Sequence, residues 1–447
     1  MSDCDNEHDK ITHFAITNYR DIRTVFGIKE KNGRGHMYVI GKTGTGKSTL
    51  IENMIISDIK DGNGAALIDP HGDLAGDVLN HIPERRGNDV IYFSPADIGY
   101  PVAFNPLESV PPDYMGLVVS GIISAFKKVW SESWGPRLEH ILRHSLLTLI
   151  ERPRSTLIDL PRLLTDKDFR AGVLTGVTTQ QVRQFWFSEF EKYPAYLKSE
   201  ATAPILNKIG QFVASPLLRN IVGQRTNTLD FRKIMDERKI LIANLAKGQI
   251  GEDNCSLLGA MIVTKLQLAA LSRVDIEEKK RTSFYLYVDE VHDFLTLAFA
   301  DILSAARKYG LSLVMAHQYI EQLDQEIRSA MFGNVGTAIS FRVGAEDAHY
   351  LARKFSPVFT GTDLINLPNY HIYLKLMIDG VTSRPFSAVT LMPLETKAVC
   401  AGHVIEASRR HYARPRKIVE GEIAQGVTAL SSDNGPSPEA PQPSLFS

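Results

Sequence analysis

Gly41-Lys42-Thr43-Gly44-Thr45-Gly46-Lys47-Ser48 is the stretch that decides the fold, because it fills every position of G-x-x-x-x-G-K-[ST]. It follows a short apolar run, Met37–Ile40, and opens a stretch, Ser48–Ile59, whose apolar residues Leu50, Ile51, Met54 and Ile55 have helical spacing. Strand, glycine loop and helix in that order are what phosphate binding requires. Glycines let the backbone wrap around phosphate oxygens with successive N–H groups pointing inward. The helix N-terminus adds partial positive charge. Lys47 is placed to reach the β- and γ-phosphates, and the Ser48 hydroxyl to ligate Mg2+. With the following Thr49, residues Gly41 to Thr49 form the candidate nucleotide cradle, and ATP with Mg2+ is the expected cofactor. Average residue usage produces this pattern by chance in only about 1–2% of chains of this length.

Further along, Phe284-Tyr285-Leu286-Tyr287-Val288-Asp289-Glu290 reads as a buried strand ending in two carboxylates. Asp289 at the strand tip would hold Mg2+ through water, and Glu290 would polarise the attacking water as general base. One carboxylate binds metal, whereas a pair predicts hydrolysis. With Val291-His292 they spell Asp-Glu-Val-His, similar to a motif of a large helicase superfamily. The Ser-Ala-Thr segment and the late Gln/Arg-rich motif that should accompany it do not occur.

Between and beyond these motifs lie other short β-rich runs at Ala65–Ile68, Val90–Phe93, Ile240–Ala243, Leu311–Met315 and Val335–Phe341, most with helical segments between them. Buried strands alternating with helices predict a largely parallel sheet covered on both faces. Pro106 to Phe231 breaks the rhythm. Its amphipathic stretches Leu117–Val129, Arg137–Ile150 and Gln180–Phe190 predict an all-helical insertion. Tyr370–Ile378, the turn Asp379-Gly380 and Ser383–Leu391 predict a β-hairpin. The first 35 residues read as a polar lead-in loop. From about Pro415 the chain turns polar, with Ser431–Pro443 rich in Ser, Pro, Asn and Glu, and is expected to be disordered from there on.

Composition narrows the class. The chain has 447 residues, 44% hydrophobic and 23% charged, with 50 Lys and Arg against 51 Asp and Glu. That is globular usage, which excludes fibrous or wholly disordered chains. The net charge of −1 leaves a nucleic-acid partner open, since only the charge on the binding surface counts. Cys4, Cys255 and Cys400 are too far apart in sequence for metal-ligand spacing, which favours a reducing cytosolic setting. The acidic N-terminus is no signal peptide, and the apolar runs Met115–Phe126 and Ser283–Val288 are too short to span a bilayer. A soluble, cytoplasmic protein is expected.

Taken together, Gly41–Ser48, Asp69-Pro70-His71-Gly72-Asp73, Asp289-Glu290, Arg307-Lys308-Tyr309-Gly310 and Ala316-His317-Gln318 resemble the HerA/FtsK superfamily of hexameric DNA-pumping ATPases. Within it the chain is most similar to conjugative type IV secretion coupling proteins of the TraD/TrwB kind and to HerA-like translocases. The likeness runs from about His36 to Leu391 and takes in Trp134–His140 and Asp230–Asp253.

The resemblance implies an α/β fold: a RecA-like P-loop NTPase with a mainly parallel central sheet, an all-α insertion domain and a C-terminal β-hairpin. The nucleotide-binding domain would span 36–105 and 232–395, the insertion 106–231 and a C-terminal extension 396–447, after the lead-in 1–35. It implies that Gln318 senses the γ-phosphate and that Arg307 is an arginine finger acting in a neighbouring subunit's site, hence a homo-hexamer. With Lys47 and Glu290 these complete the expected catalytic set, and Ser48 and Asp289 the metal set. The implied activity is ATP hydrolysis coupled to DNA translocation in conjugative or mobile-element transfer. A membrane-channel or relaxosome partner would hold the protein at the inner membrane. The N-terminal membrane helices usual in coupling proteins and the β-barrel of HerA-like proteins have no counterpart in this sequence.

Two other activities fit the same nucleotide site: a secretion ATPase that moves protein, and a nucleotide-gated recruitment module without sustained turnover. For the DNA-facing surface, Lys127-Lys128-Val129-Trp130 and Trp134–Arg137 mix cations with aromatics as a strand-gripping loop would. A helix end with Trp packed into the insertion core explains them equally well. His71 and Asp73 read more readily as residues that order their loop than as catalytic groups, and Glu277–Arg281 as a solvated loop.

Overall fold

The computed structural model describes residues 10–18, 22–33, 35–108, 110–296, 299, 303–394 and 401–429. Among the described residues thirteen strands occur in chain order: β1 Ile11–Thr17, β2 Val25–Lys29, β3 Met37–Ile40, β4 Gly64–Asp69, β5 Val90–Phe93, β6 Ile240–Asn244, β7 Phe284–Val288, β8 Leu311–His317, β9 Thr337–Ser340, β10 His371–Lys375, β11 Met377–Ile378, β12 Val381–Thr382 and β13 Phe386–Thr390. Eleven of them form one sheet in the order β2-β1-β13-β10-β9-β3-β8-β7-β4-β6-β5. From β9 to β5 every neighbouring pair is parallel, whereas the four strands beyond β9 join antiparallel. The expected parallel sheet is therefore present, with an antiparallel wing on one side.

Burial explains why these segments are strands. Every residue of β4, β7 and β8 is buried, as expected for central strands covered on both faces. Alternate residues go to opposite faces. Tyr38, Ile40, Ala66, Ile68, Leu286 and Val288 enter one core, while Met37, Val39, Ala65, Leu67, Tyr285 and Tyr287 enter the other. Helices Lys47–Lys60 and Asp73–Asn80 supply the second core through Leu50, Ile51, Met54, Ile55, Leu74 and Val78.

The first core is continuous with the helical segment. Among the described residues between 106 and 231 all regular elements are helical, the longest being Met115–Val129, Pro136–Glu151 and Ala195–Ala214. Their apolar faces share one cluster with the sheet. The stretch Gln180–Phe190 is split: an α-helical turn Gln180–Gln184 passes into a π turn Phe185–Glu189, which buries Phe185 and Trp186. Helix Glu252–Leu271 lies between sheet and insertion. A Cβ on Gly121 would stand 2.5 Å from Thr264 Cγ2, so the glycine lets helix Met115–Val129 cross it closely. The segment Glu252–Asp275 is apolar enough and long enough to cross a membrane, yet 78% of its apolar window is buried inside the fold.

Two expectations are corrected. The lead-in contains β1 and β2, an antiparallel pair that extends the sheet through β13. Interrupted apolar runs masked this, with Thr12 and His13 inside β1 and Gly27 and Lys29 inside β2, which lies at the sheet edge. The predicted hairpin forms between β10 and β13, with β11 and β12 as a small ribbon at its tip. Beyond Pro415 the chain forms a helix, Arg416–Ala429, preceded by helix Ala401–Tyr412 packed on β5. Ser408 Oγ accepts from Tyr92 N at 2.8 Å, and Arg409 pairs with Asp97 at 2.8 Å. Ser431–Pro443, Cys4 and Cys400 lie outside the described residues.

Candidate nucleotide site

The parallel order β3-β8-β7 puts the carboxyl ends of three strands side by side: β3 runs into Gly41–Ser48, β8 into Gln318 and β7 into Asp289-Glu290. Ligands of open α/β sheets bind at such carboxyl edges. Gly44 and Gly46 have φ of 74° and 112°, values that L side chains rarely adopt. A Cβ on Gly46 would also meet Tyr370 at 2.8 Å, and one on Gly41 would meet Phe341 Cβ at 2.5 Å. The loop is fixed to the sheet through Lys42 N to Arg342 O at 2.9 Å and Tyr370 N to Thr45 O at 2.8 Å. Thr45 Oγ1 donates to Lys42 O at 2.7 Å and closes the turn from within.

Lys47 Nζ donates to Gly41 O at 2.6 Å and to Lys42 O at 3.4 Å, arching over the loop from the first helical turn. Burial holds its ammonium below the usual lysine range, while Glu290 and Asp289 pull it back up. Both carboxylates are therefore within electrostatic reach of the loop lysine. Asp289 is 4% exposed, and its carboxyl is pushed up to about 6 by burial first, then by Glu290 and Asp69. Asp69 is fully buried and accepts from His71 N and Ala75 N, both at 2.8 Å. It orders the loop before helix Asp73–Asn80; His71 and Asp73 point to solvent.

Glu290 adopts φ 44°, a left-handed conformation that costs energy for a non-glycine residue. Its Oε1 accepts from Gln318 Nε2 at 2.7 Å, and the Gln318 Oε1 accepts from Thr43 Oγ1 at 3.0 Å. Gln318 thus ties the phosphate loop to the second carboxylate through one side chain. Glu290 Oε2 is buried without a hydrogen bond among the described residues, 3.5 Å from His292 Nδ1. No donor among the described residues is aimed at its lone pairs, as suits a group that receives a proton. Behind it, buried His317 is held down to about 3 by burial and then by His292, and its Nε2 hydrogen-bonds the Tyr38 hydroxyl at 2.7 Å.

Arg307 does not join this cluster. It lies exposed on a 3₁₀ turn, Ala306–Tyr309, at the amino end of β8, whereas Gln318 follows the carboxyl end. Seven strand residues at about 3.3 Å each put it roughly 20 Å away. Of the two readings left open for the basic and aromatic stretch Lys127–Arg137, the structure favours the packed one. Lys128 donates to the backbone carbonyls of His292 and Leu295. Trp130 stacks on Phe126 with ring centroids 4.7 Å apart, and Trp134 Nε1 donates to Glu139 at 2.9 Å. Lys128, Trp130 and Trp134 thus serve internal packing, while Lys127 and Arg137 are exposed. The sequence reading gave no place around this site to Tyr38, His317, Lys128 or Lys247, the last of which pairs with Asp293 at 3.4 Å. Only contacts across the fold single them out.

Clustered buried carboxylates beside a lysine-closed glycine loop fit a nucleotide with a divalent cation. The cation would relieve the repulsion that raises Asp289, with Ser48 on the loop side.

The family model for the central domain of helicase HerA matches residues 18–263, and that for the TraM recognition site of TraD and TraG matches 283–359. No curated protein matches significantly. Among solved structures, the fold is similar to the bacterial conjugative coupling protein TrwBΔN70, at 16% identity and a TM-score of 0.59. That match covers 86% of this chain and 90% of the other. TrwB in complex with ADP and Mg2+ gives 17% identity and a TM-score of 0.59 over 86% and 91%. VirB4 of Thermoanaerobacter pseudethanolicus gives 12% identity and a TM-score of 0.58 over 87% and 97%. The first family match alone takes in more than half of the chain, so the protein belongs to the HerA helicase central-domain family of P-loop ATPases.

Proposed function

We propose that the chain is an ATP-hydrolysing motor that moves DNA, works as a homo-hexameric ring and serves conjugative or mobile-element transfer. The bridge from Thr43 through Gln318 to Glu290 is the observation that carries the hydrolytic part. It joins the loop that would cradle the phosphates to the carboxylate that would take a proton from water, so occupancy of one bears on the geometry of the other.

In this reading residues Gly41–Thr49 bind the phosphates, and Lys47 leaves its loop carbonyls for the β- and γ-phosphate oxygens. Ser48 and Asp289 hold Mg2+, which when bound neutralises phosphate charge. Glu290 orients and deprotonates the attacking water, while Gln318 senses the γ-phosphate. The exposure of Arg307, and its distance from the site of its own subunit, support its acting as a finger in a neighbouring subunit. The DNA part is supported by the family match and by the likeness to coupling proteins; TrwB is named as a plasmid coupling protein and was solved with analogues of both GTP and ATP. The match to the TraM recognition site of TraD and TraG supports a relaxosome-type protein partner.

The test is nucleotide binding and turnover in two variants. Lys47→Ala should lose binding, and Glu290→Gln should hold ATP without hydrolysing it. Turnover by Glu290→Gln at the wild-type rate would refute the assignment of the base.

A further inference from the structure

The loop that follows the two carboxylates is held from the helical segment rather than from the sheet. Lys128, in the last turn of helix Met115–Val129, donates to His292 O and, at 2.9 Å, to Leu295 O. These carbonyls belong to the 3₁₀ turn Val291–Asp293 and the two residues after it, directly after Glu290. Burial brings the Lys128 ammonium down to about 8, with Asp293 and Asp324 pulling it up. A lysine half-withdrawn from water and spent on two backbone carbonyls is an expensive way to fill space. It has a definite geometric effect: the turn cannot shift without breaking two charge-assisted hydrogen bonds.

The same loop is seated from a second side. Phe294 packs where a Cβ on Gly259 would stand 2.2 Å from its ring, on the helix that helix Met115–Val129 crosses. At its start, Glu290 is in a strained left-handed conformation, with one carboxylate oxygen unpartnered beside His292. Strain of this kind persists only where the surroundings impose it.

We propose that Lys128 is a positioning residue for Glu290, through which the helical segment controls the rate of hydrolysis. This rests on the proposed role of Glu290 as general base. A movement of helix Met115–Val129 would pull the 291–295 turn and change where the Glu290 carboxylate stands relative to the phosphate loop. Anything that docks on the helical segment then has a direct handle on turnover, without touching the nucleotide.

The experiment is a double-mutant cycle on full-length protein with Lys128→Met, Lys128→Arg, Glu290→Gln and the Lys128→Met/Glu290→Gln pair. It reads ATP affinity by fluorescent-nucleotide titration and kcat by phosphate release. Misplacing a catalytic group by about 1 Å costs up to roughly 100-fold in rate, so Lys128→Met should lower kcat about 10- to 100-fold with ATP affinity unchanged. Lys128→Arg, which keeps the donors, should recover most of it. In the Glu290→Gln background Lys128→Met should have no further effect on the residual rate. Hydrogen exchange of residues 290–296 should rise in Lys128→Met while the remainder keeps its protection. An unchanged kcat, a parallel loss of affinity, a further drop in the Glu290→Gln background or a general loss of protection would each overturn the proposal. A wild type that does not hydrolyse ATP, or a fully active Glu290→Gln, would instead overturn the underlying assignment of the base.

Discussion

Replacing Gln318 by leucine removes the side chain that joins the phosphate loop to Glu290 while nearly preserving its volume. Two hydrogen bonds go. The one from Thr43 Oγ1, at 3.0 Å, is neutral and exposed and contributes about 0.5 kcal/mol net. The one to Glu290 Oε1, at 2.7 Å, goes to an ionised acceptor in a buried setting, where about 1.5–3 kcal/mol is typical. Its loss leaves both oxygens of Glu290 without a hydrogen-bond donor, since Oε2 already has none among the described residues. If the bridge holds the base where water is attacked, the whole of the second figure falls on the transition state. At 1.36 kcal/mol per tenfold, kcat drops about 10- to 150-fold. ATP affinity changes only by the Thr43 contribution, roughly a factor of two. Steady-state phosphate release gives kcat, and titration with a fluorescent ATP analogue gives affinity. A kcat within twofold of wild type, or an affinity that falls as far as kcat, would refute the reasoning.

Other outcomes follow from the same geometry. Arg307→Ala should abolish hydrolysis in uniform rings yet recover part of it when mixed with Lys47→Ala subunits; no recovery at any mixing ratio would remove the trans-acting role. Gly259→Ala places a methyl group 2.2 Å from the Phe294 ring, and overpacking of this kind costs about 1–3 kcal/mol. Chemical denaturation should show that loss together with slower hydrolysis, and an unchanged midpoint would count against the packing of the loop.

Asp58 supplies a pH test. It is buried on the other sheet face, accepting from Thr12 at 2.8 Å, from Asn63 at 3.3 Å and from the Tyr287 hydroxyl, and burial pushes its carboxyl up to about 6. A carboxyl raised in the folded state binds its proton more tightly there than when unfolded, so its contribution to stability falls as pH rises from about 4 to about 6 and is level above. Two pH units correspond to about 3 kcal/mol, an upper figure. The stability difference between wild type and Asp58→Asn should therefore shrink or reverse over that interval, and a flat difference would contradict the shift.

The parallel half of the sheet was legible because its strands are apolar throughout: Phe284–Val288 and Val90–Phe93 end where their sequence says they should. The phosphate loop and the carboxylate pair were legible because each is one uninterrupted stretch on one strand end. Strands β1 and β2 escaped because each is short and interrupted, by Thr12 and His13 in β1 and by Gly27 and Lys29 in β2, and the pairing that makes β1 a strand is with β13, more than 360 residues on. Helix Arg416–Ala429 escaped for a related reason, since its charge and exposure resemble those of a tail. Lys128 and Trp130 left two readings open because cations beside aromatics read alike whether they grip a ligand or pack internally. Lys128 donates to His292, 164 residues away, and the ammonium that sits 5.4 Å over the Trp130 ring is that of Lys208, 78 residues on. No local pattern encodes such pairs.

The most direct test of the account is steady-state ATP hydrolysis by the purified protein, alone and with single- or double-stranded DNA, with Glu290→Gln as the blank. The account predicts hydrolysis that one form of DNA stimulates strongly and that Glu290→Gln abolishes. Hydrolysis indifferent to DNA would contradict the DNA-motor reading and point to a protein track. ATP bound without hydrolysis under every condition would contradict the motor itself.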